Sequence, residues 1–179
     1  ADILKDDELR KEFIEIYSEQ GKDEARNWIN SSYGPFSEEE LDHRMSRYGL
    51  NPCGEILGND FHCNLAEVHL NQIDPGNFEE QKKAFKAAAL SVACLLNHEF
   101  EVERYRKSRE YDPIVGVSFT GLFDFCVHAF GTPWLKWWEA GRPNSEEGKA
   151  FKEKEAKFLD SWRKIVKETV WEYCDKHNL

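Results

Sequence analysis

Hydrophobic residues recur at three- and four-residue intervals along most of this chain, a pattern typical of amphipathic helices. Near the start, the pattern predicts a helix over residues 5–19 that ends at Gly21, and a short second helix that Asp23 caps. Ser37, followed by Glu40, predicts a capping box at the start of a third short helix. We expect these leading helices to shape the approach to the loop at residues 49–72.

The rest of the chain predicts longer helices and two strands. Apolar runs at residues 65–70 and 114–119 are typical of short strands. Helices are expected from Asn77 to about residue 98, over residues 122–130, and from Ser145 onward. The fold class is therefore predicted to be α/β and helix-rich, with few short strands.

Some details of the packing follow from the same spacing. Phe78 is expected on the apolar stripe of the helix that begins at Asn77, and Cys94 is expected as a buried, inert thiol on that helix. Phe123 is expected to point inward, and Gly131 with Pro133 to stop its helix. The aromatic cluster after this helix is predicted to pack in the core or against a partner; its members are Trp134, Trp137 and Trp138.

Charge and composition exclude several function classes. The chain has 179 residues and a net charge of −10, and its basic residues are interleaved with acidic ones. Nucleic acid is therefore not expected as a partner, because such binding depends on neutralising phosphates. The chain shows neither a membrane-spanning run nor a signal-peptide pattern, which favours a cytoplasmic location with no membrane association. In a reducing compartment its 5 cysteines would be mostly free thiols.

The chemistry is concentrated in residues 49–72. Pro52 disfavours a helical conformation at the residue before it, so we expect an extended run in which alternate side chains share a face. Asn51, Cys53 and Glu55 would then point together into one pocket. This places an amide, a thiol and a carboxylate at one point.

A carboxylate beside a thiol disfavours the thiolate, and no Lys or Arg lies in the loop to offset it. Conventional cysteine catalysis is therefore not expected. The thiol of Cys53 can instead lose a hydrogen atom and act as a thiyl radical, with the carboxylate of Glu55 as general base and the amide of Asn51 as a hydrogen-bonding anchor.

Other interpretations of the same residues stay open. Cys53, His62, Cys63 and His69 are candidate metal ligands, although adjacent His62 and Cys63 lack the paired spacing of common structural zinc sites. A disulfide between Cys53 and Cys63 would be a redox element rather than a structural staple. Glu55 and Asn51 are each compatible with a simple role in a turn. His43 shows no partner pattern in the sequence.

Together, the motif residues resemble a known family. Asn51-Pro52-Cys53-Gly54-Glu55, with His62-Cys63-Asn64-Leu65 and Glu67-Val68 after it, resembles the active-site finger loop of ribonucleotide reductases. The short gap to Cys63 is similar to that of the adenosylcobalamin-dependent class II enzymes. The run from Gly116 to Asp124 looks like the next core strand and turn of that family. The resemblance implies a partial segment of a ten-stranded α/β barrel.

On this resemblance, residues 1–179 are one segment of a larger catalytic barrel domain. Residues 1–48 would be leading helices, residues 49–72 the active-site loop and strand, and residues 73–179 helices with one further core strand. No cysteine precedes Cys53, so the family's second reducing cysteine, like its phosphate loop, would lie outside this chain. We expect such a segment to be inactive alone.

The resemblance also implies roles for single residues. Cys53 would carry the thiyl radical that abstracts the 3′ hydrogen of a ribonucleotide, and Glu55 would take the 3′-hydroxyl proton. Asn51 would hold the ribose hydroxyls, and Cys63 would be one of two thiols that reduce the 2′ position. The implied cofactor is adenosylcobalamin, for which this sequence offers no metal ligand. The implied partners are the ribonucleotide, the rest of the reductase and a thioredoxin-type reductant.

A second hypothesis belongs to another class. The chain would be a non-catalytic helical interaction module whose Cys/His loop is incidental or binds a metal. That hypothesis predicts a closed hydrophobic surface and a self-sufficient core, whereas a barrel segment should leave unpaired strand edges and exposed apolar area.

Overall fold

A computed structural model describes residues 6–46, 48–54 and 56–179. The helices are α1 (Asp7–Gln20), α2 (Lys22–Tyr33), α3 (Glu38–Met45), α4 (Phe78–Ala93), α5 (Glu103–Tyr111), α6 (Leu122–Glu139) and α7 (Glu146–His177). The strands are β1 (Gly49–Leu50), β2 (Leu57–Gly58), β3 (Asn64–His69) and β4 (Val115–Thr120). Short 3-10 turns occupy Leu70–Gln72 and Cys94–Asn97. The chain is thus helix-rich with few short strands, as predicted.

The described residues form two compact units. The first unit takes its residues from Ala1–Phe61 and Glu110–Asp112, and the second comprises His62–Arg109 and Pro113–Leu179. The first unit therefore holds α1 to α3 with β1 and β2, while the second holds the β3 and β4 strands and the longest helices.

Three predicted helix starts are confirmed by their caps. The Ser37 hydroxyl accepts a hydrogen bond from the Glu40 amide at 3.1 Å, the first half of a capping box. The Asn77 side chain caps α4, and the Ser145 hydroxyl accepts from the Gly148 amide at 3.0 Å to begin α7. Each cap satisfies an amide that the helix itself leaves without a partner.

The first unit packs its helices around a small apolar centre. Ala25 and Leu41 are buried, and Arg26 makes ion pairs with Glu38 and Asp42 that join α2 to α3. Helix α1 ends at Gly21 as predicted. The predicted cap at Asp23 is wrong, because Gly21 itself is the cap residue and α2 begins at Lys22.

The second unit contains a parallel sheet. β3 and β4 pair in register from Asn64 opposite Val115 to His69 opposite Thr120, which confirms both predicted strands. Among the described residues each strand pairs with one neighbour, so its other edge carries no ladder partner. Gly121 follows β4 with φ +74°, and a Cβ there would lie 2.9 Å from the Asn71 backbone nitrogen. This position needs glycine because both the backbone angle and the close approach exclude a side chain.

The core of the second unit lies between the sheet and helices α4, α6 and α7. Its buried apolar members are Val68, Leu70, Phe85, Phe125 and Trp162. The Phe85 ring stacks on the Trp162 indole with their centroids 5.0 Å apart. Large aromatic side chains dominate this core, and they contribute much of the apolar burial that holds the unit together.

Several packing predictions for the second unit are wrong. Cys94, which directly follows α4, is exposed because helical spacing places it opposite the buried stripe that contains Phe85 and Ala89. Phe78 is 48% exposed on the first turn of α4, and Phe123 is 43% exposed on the first turn of α6.

The predicted stop at Gly131 is confirmed, because its non-helical angles divide α6 into two helices, and the second begins directly afterwards with Pro133 in its first turn. A proline in the first turn after a break costs little, because no amide is required there.

The predicted aromatic cluster lies largely in the core. Trp134 and Trp137 are buried, and their ring nitrogens donate to Glu155 Oε1 at 2.7 Å and to the Pro143 carbonyl oxygen at 2.9 Å. Trp138 is 41% exposed and stacks on Trp134. Core packing is therefore confirmed for two of the three tryptophans. Within the described residues, no helix has the length and apolarity to span a membrane.

Candidate active-site hairpin

The residues with predicted chemistry begin at the tip of a β-hairpin. β1 and β2 run antiparallel, with Gly49 opposite Gly58 and Leu50 opposite Leu57. The Asn51 amide donates to the Ile56 carbonyl oxygen at 3.0 Å and extends the pairing by one step. Residues between these two therefore form the hairpin loop.

A tight turn opens this loop. The Gly54 amide donates to the Asn51 carbonyl oxygen at 2.9 Å, which closes a four-residue turn with Pro52 and Cys53 at its corners. Proline suits the first corner because its ring presets the backbone angle, and Gly54 adopts φ +77° after it. The predicted extended run is wrong here, because the chain reverses within these residues.

The Asn51 side chain braces the loop. Its Oδ1 atom accepts a hydrogen bond from the Ile56 amide at 3.1 Å, so the backbone and side chain of Asn51 together bond both the carbonyl oxygen and the amide of Ile56. This confirms a turn role for Asn51. The proposed contact of this amide with a ribose stays a prediction.

Cys53 is exposed at the corner of the turn, and its thiol is free. Glu55, the predicted carboxylate of the trio, lies outside the described residues. The structure therefore places two of the three predicted groups in one turn. Cys63 belongs to the second unit, where it is an exposed free thiol directly before β3.

His62, next to Cys63, packs as an aromatic ring. It stacks on Phe100 with ring centroids 4.0 Å apart and meets the Tyr105 ring edge-on at 5.1 Å. Its Nε2 atom is buried, and no hydrogen-bond partner reaches it from the described part of the chain. An imidazole held this way favours a packing role over a surface ligand role. Across residues 6–46, 48–54 and 56–179, no three His, Cys, Asp or Glu side chains gather as metal ligands would.

A polar network that the sequence pattern did not indicate lies beside the hairpin in the first unit. Asp112 Oδ2 accepts from the Tyr48 hydroxyl at 2.7 Å and lies 2.7 Å from His43 Nε2. The sequence shows no partner pattern for His43, and the fold gives it a partner in Asp112. Asp112 is far away in the chain, so no local spacing signal relates it to the other two residues.

Burial is the main cause that raises the pKa of Tyr48, and its hydrogen bond to Asp112 raises this pKa further. The phenol therefore stays protonated and keeps its donor role through the physiological range.

The other leg of the hairpin, the residue that directly follows β2, also makes a side-chain hydrogen bond. Asn59, directly after β2, donates through Nδ2 to the Ser46 hydroxyl oxygen at 2.7 Å, and that hydroxyl donates to the His43 carbonyl oxygen.

The second unit contains an apolar cavity of about 420 Å³. Aromatic side chains of α6 and α7 line it, including Trp134, Trp138 and Trp162, and the paired side chains of Arg142 and Glu155 lie at its polar side. Burial raises the pKa of the nearby Cys126 thiol to about 11, with Glu155 adding to the effect and Arg142 opposing it. This thiol is therefore a neutral core group at pH 7.

Comparison with known proteins relates the chain to a class of reductases. One similar protein is the adenosylcobalamin-dependent ribonucleoside-triphosphate reductase of Lactobacillus gasseri, which is 34% identical over 106 residues. The match covers 59% of this chain and 14% of that reductase, so the aligned part spans about a seventh of its relative. No family model matches the chain, and no solved structure matches it.

Proposed function

We propose that this chain supplies the thiol-bearing hairpin of a ribonucleotide reductase and acts as a segment of a larger catalytic barrel. The observation that carries the proposal is the exposed thiol of Cys53 at the corner of a braced turn. The similarity to a ribonucleoside-triphosphate reductase supports the same reaction class. Residues 1–179 would form one part of that barrel domain.

The proposed chemistry divides the work between two thiols. Cys53 carries the thiyl radical that takes the 3′ hydrogen of the ribose, while Glu55 accepts the 3′-hydroxyl proton and Asn51 anchors the hydroxyls. Cys63 and a second thiol outside this chain supply two electrons and two protons, one proton for the departing 2′ hydroxyl and one for the 2′ carbon. Cys53 then returns the hydrogen atom to the 3′ carbon, and Glu55 returns its proton to the 3′ oxygen. The 2′ hydroxyl leaves as water, and the two thiols end as a disulfide that a thioredoxin-type protein reduces.

The radical itself would be generated outside this chain. The similar reductase is named for adenosylcobalamin, but the 420 Å³ cavity of the second unit does not fit that cofactor. Cavities of ~300–1,000 Å³ suit drug-sized ligands, and a corrinoid with its adenosyl group is much larger. The cavity is also lined mainly by aromatic side chains, which are poor metal ligands. We therefore assign cofactor binding to the remainder of the reductase.

The alternative of a non-catalytic helical module has one observation in its favour. The second unit has a closed aromatic core of its own. Against it, β3 and β4 each leave an edge without a partner among the described residues, and Leu65, Leu90 and Leu95 are 40% or more exposed. Two parallel strands rarely stand alone, so these features favour a segment that packs against further structure.

The test uses a complete reductase that contains this chain. Cys53→Ser should abolish turnover, because an oxygen-centred radical is much harder to form than a sulfur-centred one, while equilibrium binding of the ribonucleotide stays near normal. Cys94→Ser is the matched control, since it removes an exposed thiol outside the hairpin and should leave turnover intact. Retained reduction by the Cys53→Ser enzyme would refute the proposal.

Cys63→Ser separates the two thiol roles. This variant should still exchange the ribose 3′ hydrogen, because that step precedes reduction, but it should not form deoxyribonucleotide cleanly. The measurement is isotope exchange at the 3′ position alongside product analysis. Normal product formation would show that Cys63 is not a reducing thiol.

A further inference from the structure

The hairpin that carries Cys53 is too small to hold itself in place. Its ladder has two residue pairs, Gly49 with Gly58 and Leu50 with Leu57. Even a longer isolated two-stranded hairpin is only marginally stable in water. Three of these four residues are also exposed, so the ladder has little apolar burial of its own. Its position must therefore depend on contacts made at its two legs.

The first leg is held through a hydrogen bond to a carboxylate. Tyr48 directly precedes β1, and its hydroxyl donates to Asp112 Oδ2 at 2.7 Å. The Asp112 side chain is 18% exposed and also contacts the His43 ring, whose side chain is 9% exposed. Hydrogen bonds to a carboxylate that is largely shielded from solvent, such as that of Asp112, are among the stronger ones in proteins.

The second leg is held by a chain of neutral hydrogen bonds. Asn59 directly follows β2, and its Nδ2 atom donates to the Ser46 hydroxyl oxygen at 2.7 Å. That hydroxyl in turn donates to the His43 carbonyl oxygen. Phe61 packs against Gly58 so closely that a Cβ at Gly58 would lie 2.5 Å from the Phe61 ring. Hydrogen bonds and the close packing of Phe61 therefore both hold the second leg in place.

Both legs meet at His43. Its ring contacts the Asp112 carboxylate that holds Tyr48, and its carbonyl oxygen accepts the hydroxyl that holds Asn59. His43 lies near the end of α3, and this helix is anchored by buried Leu41. One helical residue thus connects both legs of a hairpin whose ladder has two residue pairs, extended by the contacts between Asn51 and Ile56.

We infer that Tyr48, Asp112, His43, Ser46 and Asn59 form a clasp that positions Cys53. This inference rests on the proposed function for its purpose, since a hydrogen abstraction requires the sulfur to meet the ribose within a narrow range of distance and angle. A displacement of about 1 Å can cost ~100-fold in rate even when the displaced group itself is unchanged. Tyr48 and Asn59 are therefore positioning residues, and they need not touch the substrate.

A spin label on Cys53 tests the clasp without any turnover. The 179-residue chain with Cys63→Ser, Cys94→Ser and Cys174→Ser leaves Cys53 as the exposed thiol, while Cys126 stays buried. Tyr48→Phe and Asn59→Ala should each narrow the spectrum of a nitroxide on Cys53, because the tip gains freedom. Asp112→Ala should do the same, and Asp112→Asn should restore part of the order because it keeps an acceptor.

Matched controls remove the same groups elsewhere in the first unit. Tyr33→Phe deletes a phenol hydroxyl on α2, and Asn27→Ala deletes an amide that bonds exposed Glu24 on the same helix. Both should leave the label spectrum unchanged. A spectrum that is equally broad in the Tyr48→Phe and Asn59→Ala chains, with their folding verified by circular dichroism, would overturn the clasp.

Kinetics in the complete reductase then separates the clasp from the proposed function. Tyr48→Phe should lower kcat by about 10- to 100-fold with KM nearly unchanged, because substrate contacts stay and the geometry of the thiol changes. A mobile label with unchanged kcat would refute the catalytic purpose of the clasp. Full activity of Cys53→Ser would instead refute the proposed function, whatever the label shows.

Discussion

The Trp162 indole nitrogen donates to Gln81 Oε1 at 3.0 Å, and both side chains are buried, with exposed fractions of 2% and 0%. The Gln81 Nε2 atom also donates to the Pro75 carbonyl oxygen at 3.0 Å. One buried amide thus connects α7, α4 and the turn that precedes α4. The core of the second unit is therefore aromatic in bulk and polar at one specific point.

Replacing this amide should destabilise the second unit. Gln81→Met keeps the length of the side chain but leaves the Trp162 donor and the Pro75 acceptor without partners. Each unsatisfied buried group costs about 1–3 kcal/mol, so we expect a loss of at least this size in the free energy of unfolding. The measurement is urea unfolding followed by circular dichroism. Gln72→Met is the control at an exposed position, and an equal loss in both variants would contradict the prediction.

Gly121→Ala should destabilise the chain more than Gly141→Ala. Both glycines have positive φ angles, of +74° and +81°, so alanine strains the backbone at each. At Gly121 the new Cβ also lies 2.9 Å from the Asn71 nitrogen, whereas nothing lies within 4 Å at Gly141. We expect a cost of about 1 kcal/mol at Gly141 and a larger cost at Gly121. Equal unfolding midpoints in urea would show that the close approach carries no cost.

Thiol alkylation should distinguish exposed from buried cysteines. Cys53, Cys63 and Cys94 are exposed and should react with iodoacetamide at pH 8 within minutes, whereas Cys126 is 4% exposed and should resist. Peptide mass spectrometry after timed quenching measures the order. In urea all the thiols should react alike. Rapid labelling of Cys126 in the folded chain would contradict the structure around it.

The raised pKa of Cys126 predicts a loss of stability in alkali. Burial raises this pKa from its ordinary value of 9.0 to about 11, so the unfolded chain releases this proton at lower pH than the folded chain does. The contribution is fully present below pH 9 and is lost as the pH rises through about 11. Unfolding free energies measured across this range should fall less steeply for Cys126→Ala. Parallel slopes for the two proteins would contradict the assignment.

The features that the sequence predicted correctly depend on residues that lie close together in the chain. The caps at Ser37, Asn77 and Ser145 each bond an amide three residues later, so the local sequence contains both partners. Strands β3 and β4 were predicted because short apolar runs favour extended structure. Exposure of Cys94 was missed because its Ala and Leu neighbours in sequence suggested burial, although helical spacing places it opposite the buried stripe that contains Phe85 and Ala89.

The hairpin shows the same limit. The turn at Pro52 and Gly54 is a local event, and the resemblance of its motif drew attention to Cys53. The extended prediction failed because the hydrogen bond from Gly54 to Asn51 reverses the chain. The sequence pattern did not indicate the hydrogen bond between Asp112 and Tyr48, because only folding brings these two residues together. Sequence patterns therefore did not predict the contacts between residues that are distant in the chain.

The parallel pairing of β3 with β4 also has a kinetic consequence. Asn64 meets Val115, so the ladder joins residues that are separated by α4 and α5. Closing so long a loop costs conformational entropy before any hydrogen bond between the two strands can form, and this slows folding. A nascent chain exposes β3 long before β4 leaves the ribosome. During that interval α4, which forms from local contacts, is the element available to cover β3.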